Sequence, residues 1–372
     1  MNDNYILTPL PPKKDVETKA VLKQLAAAHR YLAELKGVSK TIPNETILLY
    51  TLPLLEAKDS SAIENIITTH DEIYKDNLFE NFISNPAAKE VQRYAQAVRE
   101  GFELMHNKKF IISNNLILKI QETIIHNNAG YRTLPGTELK NLDTGKTVYI
   151  PPQGHEQIIS LMNNLIDYIN NDSLHPIDPL IKMAIIHFQF ESIHPFYDGN
   201  GRTGRILNIL YLIQKGLLDL PVLYLSSYII RTKLDYYRLL QEVRDKENWE
   251  AWILYLLRGV EVTSNSTIIL INKIKELMQE YKQKIRNNYK FYSQDLLNNL
   301  FKQPYTKIEF LQKDLKVHRQ TAANYLDQLV EGGLLKMEKF GKSNYYINEP
   351  LFLLFKNFDL SANESHEYDK KI

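Results

Sequence analysis

The sequence predicts a mainly α-helical protein whose helical core is interrupted by one β-hairpin and followed by a small helix-turn-helix module. Three observations carry this reading. Apolar residues recur at helical spacing over most of the 372 residues. The stretch Gly136 to Pro152 breaks that rhythm: the runs ELKNL and KTVYI flank Asp143-Thr144-Gly145, a hairpin signature. After Phe291, helical patterns on either side of Lys316-Val317-His318 precede two strand-like runs.

Taken in order, residues 1–15 are proline-rich and read as an extended lead-in. Val21, Leu22, Leu25, Ala28, Leu32 and Leu35 then mark a helix, with Gly37 as its expected stop. Helical patterns follow at 45–75, 86–105 and 113–127, and after the hairpin at Glu156–Asp172, Leu180–Ile193, Arg202–Lys215, Leu234–Asp245 and Trp249–Arg258. A long polar-spaced helix, Thr267 to Tyr289, is expected to connect two domains. Beyond it come helices at Asp295–Phe301, Thr306–Leu315 and Arg319–Glu331, then strands at Leu334–Lys339 and Asn344–Ile347. The polar tail SANESHEYDKKI is expected to fray. This divides the chain into an N-terminal region (1–105), a core (106–260), a connecting helix (261–290) and a C-terminal module (291–372).

Composition narrows the function. Lys plus Arg number 45 and Asp plus Glu 44, so no global field draws nucleic acid or a membrane surface. Zero cysteines exclude disulfides and thiolate metal sites and suit a reducing, cytoplasmic setting. The first residues lack the basic-then-apolar pattern of a signal peptide, and no run approaches the roughly 20 apolar residues of a membrane span.

The chemistry concentrates in His194-Pro-Phe-Tyr-Asp-Gly-Asn-Gly-Arg-Thr-Gly-Arg205, between two segments apolar almost all round. Gly199-Asn200-Gly201 lets the backbone turn its N–H groups toward one point, and the helix starting near Arg202 adds four unpaired N–H groups and a positive dipole end. Arg202 and Arg205 share one face of that first turn, giving an anion hole suited to a polyphosphate. Asp198 is a hard oxygen ligand beside it, as Mg²⁺ requires. His194 is the group that exchanges a proton near neutral pH. A competing metal reading uses His187, Glu191 and His194 at i, i+4 and i+7, with Glu103-x-x-His106 as the second half of a di-iron site. That second pair falls at a solvated helix end, Asn107-Lys108-Lys109, so His187 is expected to be a buried, hydrogen-bonded neighbour instead.

HPFYDGNGRTGR meets every fixed position of H-x-F-x-[DE]-G-N-G-R-x-x-R, the pattern of the Fic (filamentation induced by cAMP) domain, and the chain resembles that family over nearly its whole length. HFQFESI before the loop, TVYIPP at the hairpin end, Tyr236-Tyr237, Trp249-x-x-Trp252, YLAELKGVSKTIPN and EAKDSSAIENI agree. The resemblance implies a Fic helical bundle with the hairpin as a flap, a C-terminal winged helix-turn-helix, and protein adenylyltransfer. His194 would deprotonate a target hydroxyl (Tyr, Thr or Ser), which attacks the α-phosphorus of ATP. Asp198 would hold Mg²⁺. Gly199, Asn200 and Gly201 would cradle the phosphates, with Arg202, Thr203 and Gly204 beside them, and Arg205 would grip the γ-phosphate. Tyr236 and Tyr237 border the adenine or are ordinary core aromatics. The flap edge, Thr147, Val148 and Tyr149, would pair with a target strand.

Ser60-Ser-Ala-Ile-Glu64-Asn65 matches the family's inhibitory pattern [ST]-x-x-x-E-[GN], which implies an inhibitory helix at about 60–75 and Glu64 competing for Arg205. Transfer of phosphate, UMP or phosphocholine, and a regulator that only senses nucleotide, stay open as alternatives. So do self-modification and a homodimer. In the C-terminal module, Arg319, Gln320, Asn324, Lys336, Lys339 and Lys342 invite DNA, whereas Asp327, Glu331 and the near-zero net charge favour protein docking.

Overall fold

In a computed structural model the described residues are 6–76, 85–107, 111–140, 144–340 and 343–358. The tail from 359 onward, Lys342 and the Asp143 end of the hairpin turn lie outside them. The described residues form fifteen α-helices and five short strands. Among them no helix is long and apolar enough to cross a membrane.

The N-terminal region comprises α1 (Lys19–Ser39), α2 (Thr46–Ile63), α3 (His70–Asp76) and α4 (Pro86–Asn107). Thr18 caps α1 by accepting from the Val21 N–H. Gly37 does not stop that helix, because the buried Ser39 bonds back to the Lys36 carbonyl and carries the last turn past it. The 45–75 pattern is two helices rather than one. Helix α2 ends at Ile63, and Asn65 takes a left-handed conformation (φ 62°) that turns the chain away. The inhibitory segment expected at 60–75 is therefore the last turn of α2, with Glu64 as its C-cap residue.

The core continues with α5 (Asn114–Ile125), a flap of β1 (Leu139–Lys140) and β2 (Thr147–Tyr149), α6 (His155–Asn170), α7 (Pro179–Ile193), α8 (Asn200–Gln214), α9 (Ser226–Arg231) and α10 (Lys233–Lys246). Helix α7 starts where Asp178 accepts from the Leu180 N–H and Pro179 pre-sets the first φ. Residues Leu180 to Ile193 are all buried, so this helix is the centre of the bundle. Helix α8 crosses it closely at Gly204, where a Cβ would lie 2.5 Å from Glu191 Oε1 and 3.0 Å from the Phe190 ring.

The two helices expected at 249–258 and 267–289 are a single helix, α11 (Trp249–Asn288). Ser264, Ser266 and Thr267 lowered its apparent amphipathicity, but they are buried, and Thr267 bonds back to the Thr263 carbonyl. No structural break therefore falls at the expected 260/261 boundary. Trp252 pins α11 to α7 through its N–H to the Ala184 carbonyl at 2.8 Å.

The C-terminal module runs α12 (Gln294–Lys302), β3 (Tyr305–Thr306), α13 (Ile308–Leu315), α14 (Arg319–Glu331), β4 (Lys336–Phe340), β5 (Ser343–Ile347) and α15 (Glu349–Lys356). Thr306 sits in a strand, not at the start of a helix, and α9, β3 and α15 carried too few residues for a periodic signal. The antiparallel sheet has the order β3–β5–β4, with Tyr305 opposite Ile347 and Lys336 also opposite Ile347. The module leans on the N-terminal region. Tyr305 donates to Asp71 at 2.7 Å and stacks on Tyr74 at 5.9 Å, while Phe352 meets Tyr74 edge-on.

Candidate active site

Helix α7 ends in a left-handed residue, His194 (φ 49°), whose N–H still reaches the Phe190 carbonyl. A second left-handed residue, Gly199 (φ 80°), opens α8. A Cβ there would lie 2.9 Å from Ile125 of α5, which makes glycine obligatory on both conformational and steric grounds. Between these two turns Asn200 closes the loop on itself. Its Oδ1 accepts from the Phe196 N–H and its Nδ2 donates to the Phe196 carbonyl, both at 2.8 Å. The Asn200 side chain, expected at the phosphates, is thus committed to holding the loop.

The N-terminal turn of α8 gathers the charges. Arg205, 2% exposed, donates through Nε to Ser60 Oγ at 2.7 Å, and through one terminal nitrogen to the Ser60 carbonyl and Glu64 Oε1, both at 2.9 Å. Ser60 is buried within α2 as a guanidinium partner. Glu64 also lies over Gly201, where any Cβ would run into its carboxylate. Its carboxylate consequently occupies the anion position at the start of α8. Burial opposes that charge, yet Arg205, Arg202 and His194 together hold the Glu64 carboxyl below the usual range.

Arg202 pairs with Glu90 of α4 at 2.7 Å and with Asp198 at 3.3 Å. Asp198 also accepts from the Gly199 N–H, but its side chain is 68% exposed. Among the described residues no group of three or more His, Asp or Glu could hold a metal. Burial and the neighbouring Arg132 push His194 down to about 4, so the imidazole is neutral at physiological pH. Its Nδ1 is buried, leaving Nε2 to take a proton.

His187 is the buried neighbour expected: it bonds to the Tyr236 hydroxyl at 2.9 Å and stacks on Trp252. Tyr236 is therefore a core aromatic at 2% exposure, whereas Tyr237, 43% exposed, packs edge-on to it. Glu64 and Arg205 are close enough to Tyr237 to bias its ionisation, which places it at the rim of the site. In the flap Val148 is exposed and Thr147 bonds Glu138. Tyr149 is different. It is buried under the flap, donates to the Ser192 carbonyl at 2.8 Å and lies beneath the Arg244 guanidinium. Its side chain anchors the flap.

Three residues escaped the sequence reading. Arg132 grips the backbone around His194. Glu56 ties α2 to α9 through the Ser226 N–H and hydroxyl and to α4 through Tyr94. Glu90 partners Arg202. Each is a charged residue on an unremarkable helix or loop, and only tertiary contact distinguishes it.

Comparison with known proteins fits this geometry. Residues 22–103 match the model of the Fic/DOC family N-terminal region, 111–212 that of the Fic/DOC family, and 277–351 that of the protein adenylyltransferase SoFic-like C-terminal domain. The chain belongs to the Fic/DOC family. It is 28% identical over 174 residues to a probable protein adenylyltransferase of Aquifex aeolicus, covering 46% of this chain and 51% of that one. It is 34% identical over 86 residues to the protein adenylyltransferase fic-1 of Caenorhabditis elegans, covering 23% of this chain and 16% of that one. The chain thus spans about half the length of the first relative and less of the second. A crystal structure of a Fic family protein from Desulfovibrio desulfuricans superposes with a TM-score of 0.57 at 20% identity, covering 91% of this chain and 98% of that one. Fic-1 from C. elegans (residues 134–508) gives 0.51 at 22% identity over 68% and 73% of the two chains, so the Fic fold is common to all three.

Glu191 supplies a pH test of the site's packing. Burial raises its carboxyl from 4.5 to about 7, with Oε1 unpartnered among the described residues. Its contribution to stability is complete below about pH 4.5 and is lost as pH rises through about 7. Between pH 5 and 8, urea unfolding should therefore show wild type losing more stability than Glu191→Gln. Parallel losses in the two proteins would contradict the assignment.

Proposed function

We propose that the chain is a protein adenylyltransferase: it moves AMP from ATP to a hydroxyl side chain of a target protein, releases pyrophosphate, and rests in an off state imposed by Glu64. The observation that carries this is the Glu64 carboxylate bound to Arg205 over the N-terminus of α8. A resident anion there marks a site built for an anion. The names of the relatives support the choice of AMP transfer.

In the reaction, the target oxygen bonds to the α-phosphorus while the bond from that phosphorus to the bridging oxygen breaks, and the electron pair leaves with pyrophosphate. His194 Nε2 takes the hydroxyl proton. An imidazole held near 4 is neutral but a weak base. The incoming phosphates add negative charge beside it and raise its basicity when the substrate is in place. Backbone N–H groups at Gly199 and Gly201 and the guanidinium of Arg202 favour the charge that builds up on the phosphates. Arg205, once released by Glu64, grips the γ-phosphate and aligns the α-phosphorus for in-line attack. Mg²⁺ would sit on the exposed Asp198 carboxylate, sharing its shell with phosphate oxygens and water, and would neutralise the phosphates. A single carboxylate suits that ion, which takes one or two carboxylates plus substrate phosphates.

We further infer that the C-terminal module docks protein rather than DNA. Arg319, on the helix that would enter a major groove, is already paired with Glu309 at 2.6 Å, and Asp327 accepts from Tyr346. Tyr305 and Phe352 pack against the N-terminal region.

Two measurements test these readings. With α-labelled ATP and Mg²⁺, Glu64→Gly should label itself or lysate proteins about tenfold more than wild type. Adding His194→Ala should reduce that labelling at least ~10²-fold. Equal labelling with and without Glu64 would remove the brake, and no AMP adduct in Glu64→Gly would remove the activity. On immobilised duplex DNA, the full chain should show no salt-dependent retention at moderate ionic strength; retention that falls steeply with salt would favour a DNA-reading module.

A further inference from the structure

The segment Tyr131–Leu134, between α5 and the flap, runs alongside residues 193–197 and bonds to or packs on each of them. Arg132 is at its centre. Its backbone N–H donates to the Pro195 carbonyl at 2.9 Å, and its Nε to the His194 carbonyl at 2.8 Å. One terminal nitrogen reaches both the Ile193 carbonyl, at 3.4 Å, and the Pro152 carbonyl at the base of the flap. Its own carbonyl accepts from His155 Nδ1 at 3.0 Å. On either side, Tyr131 packs on Phe196 at 5.3 Å, and the Thr133 and Leu134 N–H groups donate to the Tyr197 hydroxyl, both at 2.9 Å.

This arrangement solves a definite problem. Helix α7 ends at His194 with its last carbonyls unpaired by helix geometry, and His194 itself is left-handed, a conformation that costs a non-glycine residue energy. A planar guanidinium satisfies several such carbonyls at once in a fixed fork. Arg132 is fully buried and still has one terminal nitrogen without a partner among the described residues. A buried cation held by carbonyls alone is expensive, so its placement beside the catalytic loop calls for a return.

We propose that Arg132 is the positioning residue of the catalytic base: it fixes the backbone of His194 and ties that residue to the base of the flap. Its charge adds to burial in holding the imidazole below its ordinary range. The proposal rests on the reading of His194 as the base. The other charged groups acting on His194 are Glu64 from the end of α2 and Arg244 from α10, and the backbone of Glu191 in its own helix also bonds the imidazole. Glu64 opposes Arg132 and Arg244 reinforces it, so removing Glu64 leaves the imidazole further below its ordinary range.

Two variants separate geometry from charge. Arg132→Lys keeps the charge and loses the fork; Arg132→Gln loses both. In the Glu64→Gly background, with α-labelled ATP, both should lower the rate at saturating ATP ~10–100-fold, with the KM for ATP unchanged within about twofold. In the full chain without nucleotide, imidazole NMR should show the His194 titration midpoint moving up in Arg132→Gln and holding in Arg132→Lys. If Arg132→Gln does not fold, Arg132→Lys still decides the geometric half through its rate. Unchanged rates in a folded variant, or an unmoved midpoint in folded Arg132→Gln, would overturn the proposal. The NMR arm does not use AMP transfer, so a Glu64→Gly protein that forms no adduct would refute the activity and leave this inference to be judged by titration.

Discussion

A guanidinium buried in the first turns of α8 must have an anion, and the rest of the site is arranged around which anion it has. Arg205 cannot shed its charge. Without Glu64 it would keep the Ser60 hydroxyl and carbonyl but face the anion hole with an uncompensated cation. Glu64 fills that need from within the chain. It does so across an interface that stays partly wet, since its own side chain is 35% exposed. The pair is therefore displaceable: one wall is solvent, and a polyphosphate carries more charge than a carboxylate. The chemistry that would suit the site to a phosphate also suits it to an internal substitute.

Displacing Glu64 is a question about α2, because the carboxylate hangs from its last turn. Two turns back, Glu56 is buried and bonded to Ser226 and Tyr94, and Asp59 accepts from Tyr224. Those contacts hold the body of the helix against α9 and α4, so release of the brake by unfolding α2 would break a buried polar network. A smaller movement suffices. The helix ends at Ile63 and Asn65 reverses the chain, so a rotation of the Glu64 side chain toward solvent would free Arg205 with α2 in place. The C-terminal module rests against α3, just beyond that reversal, through Tyr305, Asp71 and Tyr74.

The loop from His194 to Arg205 was legible in the sequence because its chemistry is local. Glycines at 199 and 201, a helix start and two arginines one turn apart make an anion hole from twelve consecutive residues. The Glu64–Arg205 contact, 141 positions apart, was legible only through family resemblance. Composition cannot show that the Asn200 and Tyr149 side chains find backbone partners inside the fold. Helix α11 was read as two because buried serines and threonines, the threonines bonded back to their own helix, mimic a polar break. Arg132 was invisible for the opposite reason: its partners are carbonyl groups, which every residue has, so no pattern of side chains announces it.

The central claim is that Glu64 occupies the place of the γ-phosphate on Arg205. A crystal structure of the Glu64→Gly protein with a non-hydrolysable ATP analogue and Mg²⁺ tests it most directly. The account predicts a γ-phosphate oxygen within hydrogen-bond distance of the Arg205 nitrogen that Glu64 holds at 2.9 Å, with Ser60 still on Nε. Phosphates bound elsewhere, with Arg205 turned wholly to Ser60 and no anion over Gly201, would contradict it.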